Sequence, residues 1–95
     1  MQRSVNTAEL IMTYTINYRP VNVKNIETLI ADGGDITVGA HYPIECVATA
    51  SDAHNTVAIL VRRDGETLNA LLKRLDNAIG MFYDHDEVVD EVNAK

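Results

Sequence analysis

The sequence predicts a small α+β domain: a two-layer sandwich with two helices on one face of a small, mostly antiparallel sheet, in the order β-α-β-β-α. Two observations lead to this class. Apolar residues alternate with polar ones early in the chain, as in a half-buried strand, and recur every three or four residues late in the chain, as in an amphipathic helix. The 95 residues fit a single domain, 1–95.

The amino-terminal part is expected to begin with a flexible polar arm, residues 1–9. Met12, Tyr14, Ile16 and Tyr18 then alternate with polar residues, which predicts a half-buried strand that the following proline ends. Tyr14 and Tyr18 point the same way from such a strand, and their hydroxyls must reach water or a partner. They pack at the edge of the core or form an exposed contact patch, such as a dimer seam.

A short helix is predicted between Asn22 and Asp32, where apolar residues take helical spacing. Asn22 or Asn25 can cap its start, and Gly33–Gly34 can end it.

The middle of the chain is extended in character. A short strand is predicted around Ile36–Val38 and longer ones at Ile44–Thr49 and Thr56–Arg62. The turn SDAHN joins the last two, so we expect an antiparallel hairpin. Cys46 is expected to be a small core residue of its strand rather than a reactive thiol.

The clearest element is a long amphipathic helix, which Asp64 or Thr67 can cap. Its apolar stripe consists of Leu68, Leu71, Leu72, Leu75, Ala78, Ile79 and Phe82. The polar residues expected to face away from the core are Asn69, Lys73, Arg74, Asp76 and Asn77.

The acidic carboxyl-terminal segment, 84–95, can extend this helix, be disordered or dock elsewhere. Val88, Val89 and Val92 keep a helical spacing, whereas valine lowers helix propensity and acids oppose the negative helix end. We interpret these valines as candidate interface residues for a neighbouring subunit.

Asp84, His85 and Asp86 are the only candidates for a metal site. The D-x-D pair resembles the start of a calcium loop, but Val88 and Val89 stand where a ligand and a glycine belong. The His-Asp pair resembles part of a metal-dependent phosphohydrolase site, which needs further ligands such as His41 or His54. We therefore expect no metal, no cofactor and no catalytic residue.

Two arginines follow the predicted central strand. Arg62 and Arg63 stand next to a turn and a helix start, where they can grip a carboxylate or phosphate or lie solvated at a structural turn.

The formal charge of −6 comes from eight basic and fourteen acidic residues, which disfavours binding to nucleic acid or to an anionic membrane surface. A basic protein partner matches this charge better. A single cysteine, the absence of a signal-peptide pattern and the absence of a membrane-length apolar run predict a cytoplasmic protein.

The run RRDGETLNALLKRLDNAI with a closing DEVN resembles small uncharacterised bacterial proteins that are often associated with integrated or plasmid-borne elements. The resemblance covers the half of the chain from ECVATASDAHN onward. It implies a bacterial, cytoplasmic origin and transfers no catalytic residue.

Three functions are consistent with these patterns. The leading hypothesis is a non-catalytic interaction or regulatory module that self-associates, because a small core without tryptophan favours oligomerisation. The second is an acidic decoy that occupies a nucleic-acid-binding protein. The third is a small metal-binding protein or metal-dependent hydrolase that uses the carboxyl-terminal His/Asp cluster.

Overall fold

The computed structural model describes residues 22–93; the predicted arm 1–9 and the predicted strand Met12–Tyr18, with both candidate tyrosines, lie outside this range. Two helices and four strands follow in the order α1 (Lys24–Ala31), β1 (Asp35–His41), β2 (Ile44–Ser51), β3 (Thr56–Val61), α2 (Leu68–His85) and β4 (Val89–Asp90). The α+β class is confirmed. The predicted order is only partly matched, because three strands rather than two separate the helices and a further short strand follows α2.

The sheet has the strand order β1-β2-β3-β4. The predicted hairpin is confirmed: β2 pairs antiparallel with β3, and β1 pairs antiparallel with β2 on the other side. β4 lies parallel to β3, with Ala58 opposite Val89 and Ile59 opposite Asp90. The sheet is therefore mixed rather than simply antiparallel, because α2 carries the chain back across β3 before β4 begins.

Both helices pack on one face of the sheet. Alternate strand residues point to this face and join the helices in one cluster, whose buried members are Ile26, Leu29, Ala48, Ala50, Val57, Ala58, Leu60, Leu71, Leu75, Ala78 and Ile79. Cys46 packs against this cluster while half-buried, in line with its predicted role. Four alanines in the cluster let the helices approach the sheet closely.

A register shift explains one break in the alternation. Ala50 pairs with Ala58 and Ser51 with Thr56, so Val57 is an extra residue in β3. A bulge of this kind re-aims a side chain, and both Val57 and Ala58 are fully buried in the cluster.

The predicted helix starts are partly confirmed. Thr67 caps α2, since its hydroxyl accepts a hydrogen bond from the Ala70 N–H at 3.1 Å. Val23 is the cap residue of α1 and makes no side-chain cap, while Asn22 accepts only a long bond from the Lys24 N–H at 3.3 Å. Gly33, at φ +94°, ends α1 as expected, because that left-handed conformation favours glycine.

The acidic segment does not extend α2. The helix ends where Asp86 adopts the left-handed conformation, φ 56°, with its N–H bonded to the Phe82 carbonyl at 2.9 Å. The chain then turns into β4 and a final turn at residues 91–93. Neither helix of the described range is long and apolar enough to cross a membrane.

Two residues that were predicted to face away from the core do not. Asp76 has only 4% of its surface exposed, and Arg74 is half-buried. The prediction was wrong because a helical pattern identifies the face toward the sheet but not the flank against which a second helix or a loop packs.

Candidate functional site

A surface cavity lies on the sheet face opposite the helices. It is a groove of about 430 Å³, with β1 on one side and the turn after β4 on the other. Its walls are formed by Thr37, Val38, Gly39, Ala40, His41, Val47, Thr49, Ile59, Val92 and Asn93. The strand residues that point into it alternate with those that face the helices, since Thr37, Thr49 and Ile59 share one row of the sheet.

None of the groove residues is an Asp, Glu, Lys or Arg, although such residues make up 23% of the chain. The groove combines valine and isoleucine side chains with threonine hydroxyls and one imidazole. An uncharged, partly apolar cleft of this size on an acidic protein is the described surface best suited to a neutral ligand or a protein contact.

An exposed tyrosine adjoins the groove. Tyr42 follows the groove residue His41 in the β1–β2 turn and is 95% exposed. A fully exposed aromatic side chain beside an apolar cleft is the kind of residue that dominates protein interfaces.

Arg74, a half-buried residue of α2, connects three parts of the chain near the end of β3. The Arg74 guanidinium forms a two-pronged ion pair with Glu66, with N–O distances of 2.7 and 2.9 Å. It also donates to Glu91 at 3.0 Å and to the Val61 carbonyl at 2.9 Å. Glu91 in turn accepts the Val61 N–H at 2.8 Å. Arg74 therefore joins the end of β3, the loop before α2 and the turn after β4.

This cluster shifts the pKa of its acids. The hydrogen bonds from the Arg74 guanidinium, with a further one from the Arg63 N–H, lower the pKa of Glu66 to about 2. The same pair raises the pKa of Arg74. All the donors of this arginine that the contacts above describe are directed at protein atoms, so the cluster is better explained as a structural clamp than as a catalytic site.

The buried Asp76 holds the start of α1. Its carboxylate accepts the Ile26 N–H at 2.9 Å and the Asn25 side-chain amide at 3.3 Å. The same amide donates to the Asp76 backbone carbonyl at 3.1 Å. A side chain of α2 thus satisfies the helix amino terminus that no local side chain caps.

Arg62 and Arg63, the predicted anion-binding pair, both form hydrogen bonds within the chain. Arg62 donates through Nε to the Glu66 carbonyl at 2.8 Å, and the backbone N–H of Arg63 bonds the Glu66 carboxylate at 3.0 Å. A carboxylate of the chain itself thus occupies the loop where an external anion was the alternative. Both arginines are exposed, and an anion site at Arg62 and Arg63 stays a prediction.

The three candidate interface valines have different positions. Val89 is part of β4 and packs, half-buried, against the core cluster. Val88 is exposed, and Val92 is half-buried in the wall of the groove. Their helical spacing did not predict this arrangement, because the segment is not helical.

The metal candidates Asp84, His85 and Asp86 lie around the carboxyl end of α2. No group of three or more His, Cys, Asp or Glu side chains within residues 22–93 is arranged to hold a metal ion. His41 and His54 flank opposite ends of β2 and so lie far apart. The metal site gains no support from this part of the chain and stays a prediction.

Charge is unevenly distributed along the molecule. One end, which we call the acidic end, comprises the carboxyl ends of both helices, the start of β1 and the β2–β3 turn. Its carboxylates are Asp32, Asp35, Asp52, Asp84, Asp86 and Glu87. Partial burial, with Asp32 and Asp52 nearby, raises the pKa of Tyr83 at this end. The lysines and arginines of the described range lie outside it: Lys24, Arg62, Arg63, Lys73 and Arg74.

The fold and the groove define a small α+β domain with one uncharged cleft on its helix-free sheet face. No protein-family model, no curated protein and no solved structure matches the chain.

Sequence reasoning missed the groove. Its residues come from three strands and a distant turn, and none has a distinctive motif. The run of uncharged residues from Ile36 to Ala40 is no distinctive signal, because the chain contains other uncharged runs, such as Cys46–Ser51.

Proposed function

We propose that this protein is a non-catalytic interaction module that self-associates through the sheet face that carries the groove, which we call the groove face. Tyr42 of each copy inserts into the groove of the other. The uncharged character of the groove is the observation that carries the proposal. A contact that uses the same surface on both subunits has two-fold symmetry and closes as a dimer.

Electrostatics favours this face over others. Two copies with a formal charge of −6 repel each other, and that repulsion is weaker at the groove, whose lining residues carry no charge, than at the acidic end. The acidic end is unfavourable for the same reason. The uncharged lining of the groove thus favours the approach of two copies of an acidic chain at this place.

Tyr42 supplies the anchor. Its ring is almost completely exposed in the single chain, so burial in a partner's cleft removes a large apolar area from water. Val47 and Ile59 offer apolar contact in the groove, and the threonines and His41 can bond the phenol hydroxyl. The half-buried Val92 lies in the same wall.

Sedimentation equilibrium on the full chain tests the proposal. We expect a dimer in the micromolar range and a Tyr42→Ala variant whose dissociation constant is about thirtyfold higher, which corresponds to about 2 kcal/mol for a central aromatic contact. Tyr83→Ala is the matched control, because Tyr83 is also exposed but lies on α2, away from the groove.

A second variant distinguishes loss of the Tyr42 contact from a change in the conformation of the β1–β2 turn. Thr49→Asp places a charge in the groove and should also shift the equilibrium to monomer, with an unchanged circular dichroism spectrum. A wild-type chain that stays monomeric at high micromolar concentration, or a dimer that both variants leave intact, would contradict the proposal.

A basic protein partner is the second candidate function, in keeping with an acidic decoy for a nucleic-acid-binding protein. The acidic end favours it, because Asp32, Asp52 and the carboxylates after α2 lie together, away from the lysines and arginines of the described range. Capture of a purified basic nucleic-acid-binding domain at low salt tests it. Asp52→Asn and Asp84→Asn should weaken retention, and Glu45→Gln, at the opposite end, should not.

A cytoplasmic location belongs to this proposal. It rests on the single, half-buried cysteine, which suits a reducing compartment.

A further inference from the structure

A second surface, distinct from the groove, is the outer edge of β1. This strand is last in the sheet order, with β2 on its inner side. Its seven residues, DITVGAH, include one charged residue, Asp35, and its register is regular from there to Gly39. Natural edge strands are usually short, charged or interrupted, because an open edge pairs with other chains. β1 has few of these protections, so we expect it to be covered.

The helix side of this edge also carries uncovered apolar surface. Ile30 of α1 is 53% exposed. Val38 of β1 is 40% exposed; it borders the groove, but it pairs with the buried Ala48, so its side chain points to the helix side. Asn25 faces α2, and Ile30 lies five residues later, which places it about 140° further round the helix. Ile30 therefore projects on the flank away from α2, above the space beyond β1.

We propose that Met12–Tyr18 of the same chain adds to the outer edge of β1 as a fifth strand, parallel to β1. This segment is seven residues long, like β1, and alternates apolar and polar side chains. Residues 19–23 join it to α1. Five residues span up to roughly 17 Å when extended, which is enough to lead from the end of such a strand to the start of the helix.

The chain topology selects this edge. α1 and α2 lie on the same face, and β1 is parallel to β3, because each pairs antiparallel with β2. In the connection β3–α2–β4, the chain moves one strand toward the β4 edge of the sheet. A strand outside β1 that continues through α1 into β1 moves one strand in that same direction. The two crossovers then have the same hand, whereas placement beyond β4 reverses it. Connections of this kind have one hand almost without exception.

Side-chain alternation fits the same placement. With Met12, Tyr14, Ile16 and Tyr18 on the helix side, the new strand covers Ile30 and Val38 with apolar surface. Thr13 and Thr15 then lie on the other side, in the same face as the threonines of β1 and β2, so they add no charge to the groove face. The two tyrosines thus serve the edge of the core.

Residue-resolved amide hydrogen exchange on the full chain tests the proposal. In an edge strand, one set of alternate amides bonds the neighbouring strand, and the other set points outward and exchanges freely. A fifth strand on the outer edge protects the outward-pointing set as well. We expect protection of every amide from Ile36 to Val38. Ile16→Asp should release the outward-pointing set at least tenfold and leave the set bonded to β2 unchanged. Asn17→Asp is the control, since it adds the same charge on the opposite face.

Two results would overturn the proposal. One is free exchange of alternate β1 amides in the wild-type chain. The other is protection that disappears on dilution, which would assign the added strand to a second copy. Because dimer formation is measured separately through Tyr42 and Thr49, failure of the groove dimer leaves this result interpretable, and the reverse also holds.

Discussion

The carboxylate of Asp76, in the middle of α2, accepts a hydrogen bond from the backbone N–H of Ile26, in the first turn of α1, at 2.9 Å. The two residues are 50 positions apart in the chain. The bond supplies from a distance the cap that most helices obtain from an adjacent residue. It also explains why a charged residue is buried: the helix amino terminus favours a negative group.

Replacement of Asp76 by alanine should lower the free energy of unfolding by about 1–3 kcal/mol, because it leaves the Ile26 N–H buried without an acceptor. Asp76→Asn keeps one carbonyl oxygen and should cost less. Urea denaturation measures both. Asn77→Ala is the control, since it brings the same gain in helix propensity at an exposed position. Equal stability of the Asp76→Ala and Asn77→Ala variants would refute the capping role.

Arg74→Gln should destabilise the end of β3 and the turn after β4 together. The substitution removes the bonds to Glu66, Glu91 and the Val61 carbonyl, and we expect a loss of about 1–2 kcal/mol, moderated by the partial exposure of the cluster. Amide exchange at Val61 and Glu91 should become faster. Lys73→Gln removes a positive charge from the adjacent exposed position and should leave both amides protected; similar exchange in the two variants would argue against the clamp.

The Glu66–Arg74 pair should make stability depend on pH in the acid range. The pKa of Glu66 falls from its ordinary value of 4.5 to about 2 on folding. A carboxylate whose pKa is lowered on folding contributes its full stabilisation of the folded state at pH values above its pKa in the unfolded chain. This contribution to the free energy of unfolding is lost as the pH falls from about 4.5 through about 2. The stability difference between the wild type and Glu66→Gln should shrink across this window.

Glu45→Gln is the control for this titration, because Glu45 is exposed on β2 and is not a partner of Arg74. The difference between the wild type and Glu45→Gln should change little over the same window. Thermal unfolding of the three proteins at several pH values provides the measurement. Parallel pH profiles for the wild type and Glu66→Gln would show that the ion pair contributes nothing.

Gly34→Ala should be much more damaging than Gly80→Ala. A Cβ on Gly34 would lie 2.6 Å from the backbone oxygen of Ser51 and 2.7 Å from Leu29, neither of which can move without shifting α1 or the sheet. A Cβ on Gly80 would meet the tip of the Asn25 side chain at 2.8 Å, and alanine gains about 1 kcal/mol of helix propensity there. We expect a loss of about 2 kcal/mol for Gly34→Ala and a small change for Gly80→Ala. Comparable melting temperatures would contradict the close approach at Gly34.

The helices and the β2–β3 hairpin could be predicted because their signals are local. The apolar stripe from Leu68 to Phe82 matches α2, and Thr67 caps it as its position indicates. The turn SDAHN closes on the Asp52 carboxylate, which accepts the N–H groups of His54 and Asn55. In each case the interacting groups lie within a few residues of one another.

The candidate site was not predictable in the same way. The groove depends on the register that aligns Thr37, Thr49 and Ile59 across three strands. Asp76 and Arg74 looked like surface residues, because the pattern of one helix contains no information about what packs on its flank. Their partners are provided by α1, by the loop before α2 and by the turn after β4.

Within residues 22–93, the sequence by itself determined the two helices, the β2–β3 hairpin and which helix faces are apolar, because periodicity and capping act over a few residues. Only the tertiary structure decided that Val89 enters the sheet parallel to β3, that Asp76 is buried and that an uncharged groove forms opposite the helices. Those outcomes depend on contacts between residues far apart in the chain, whose free energies become available only once the sheet and helices have packed together.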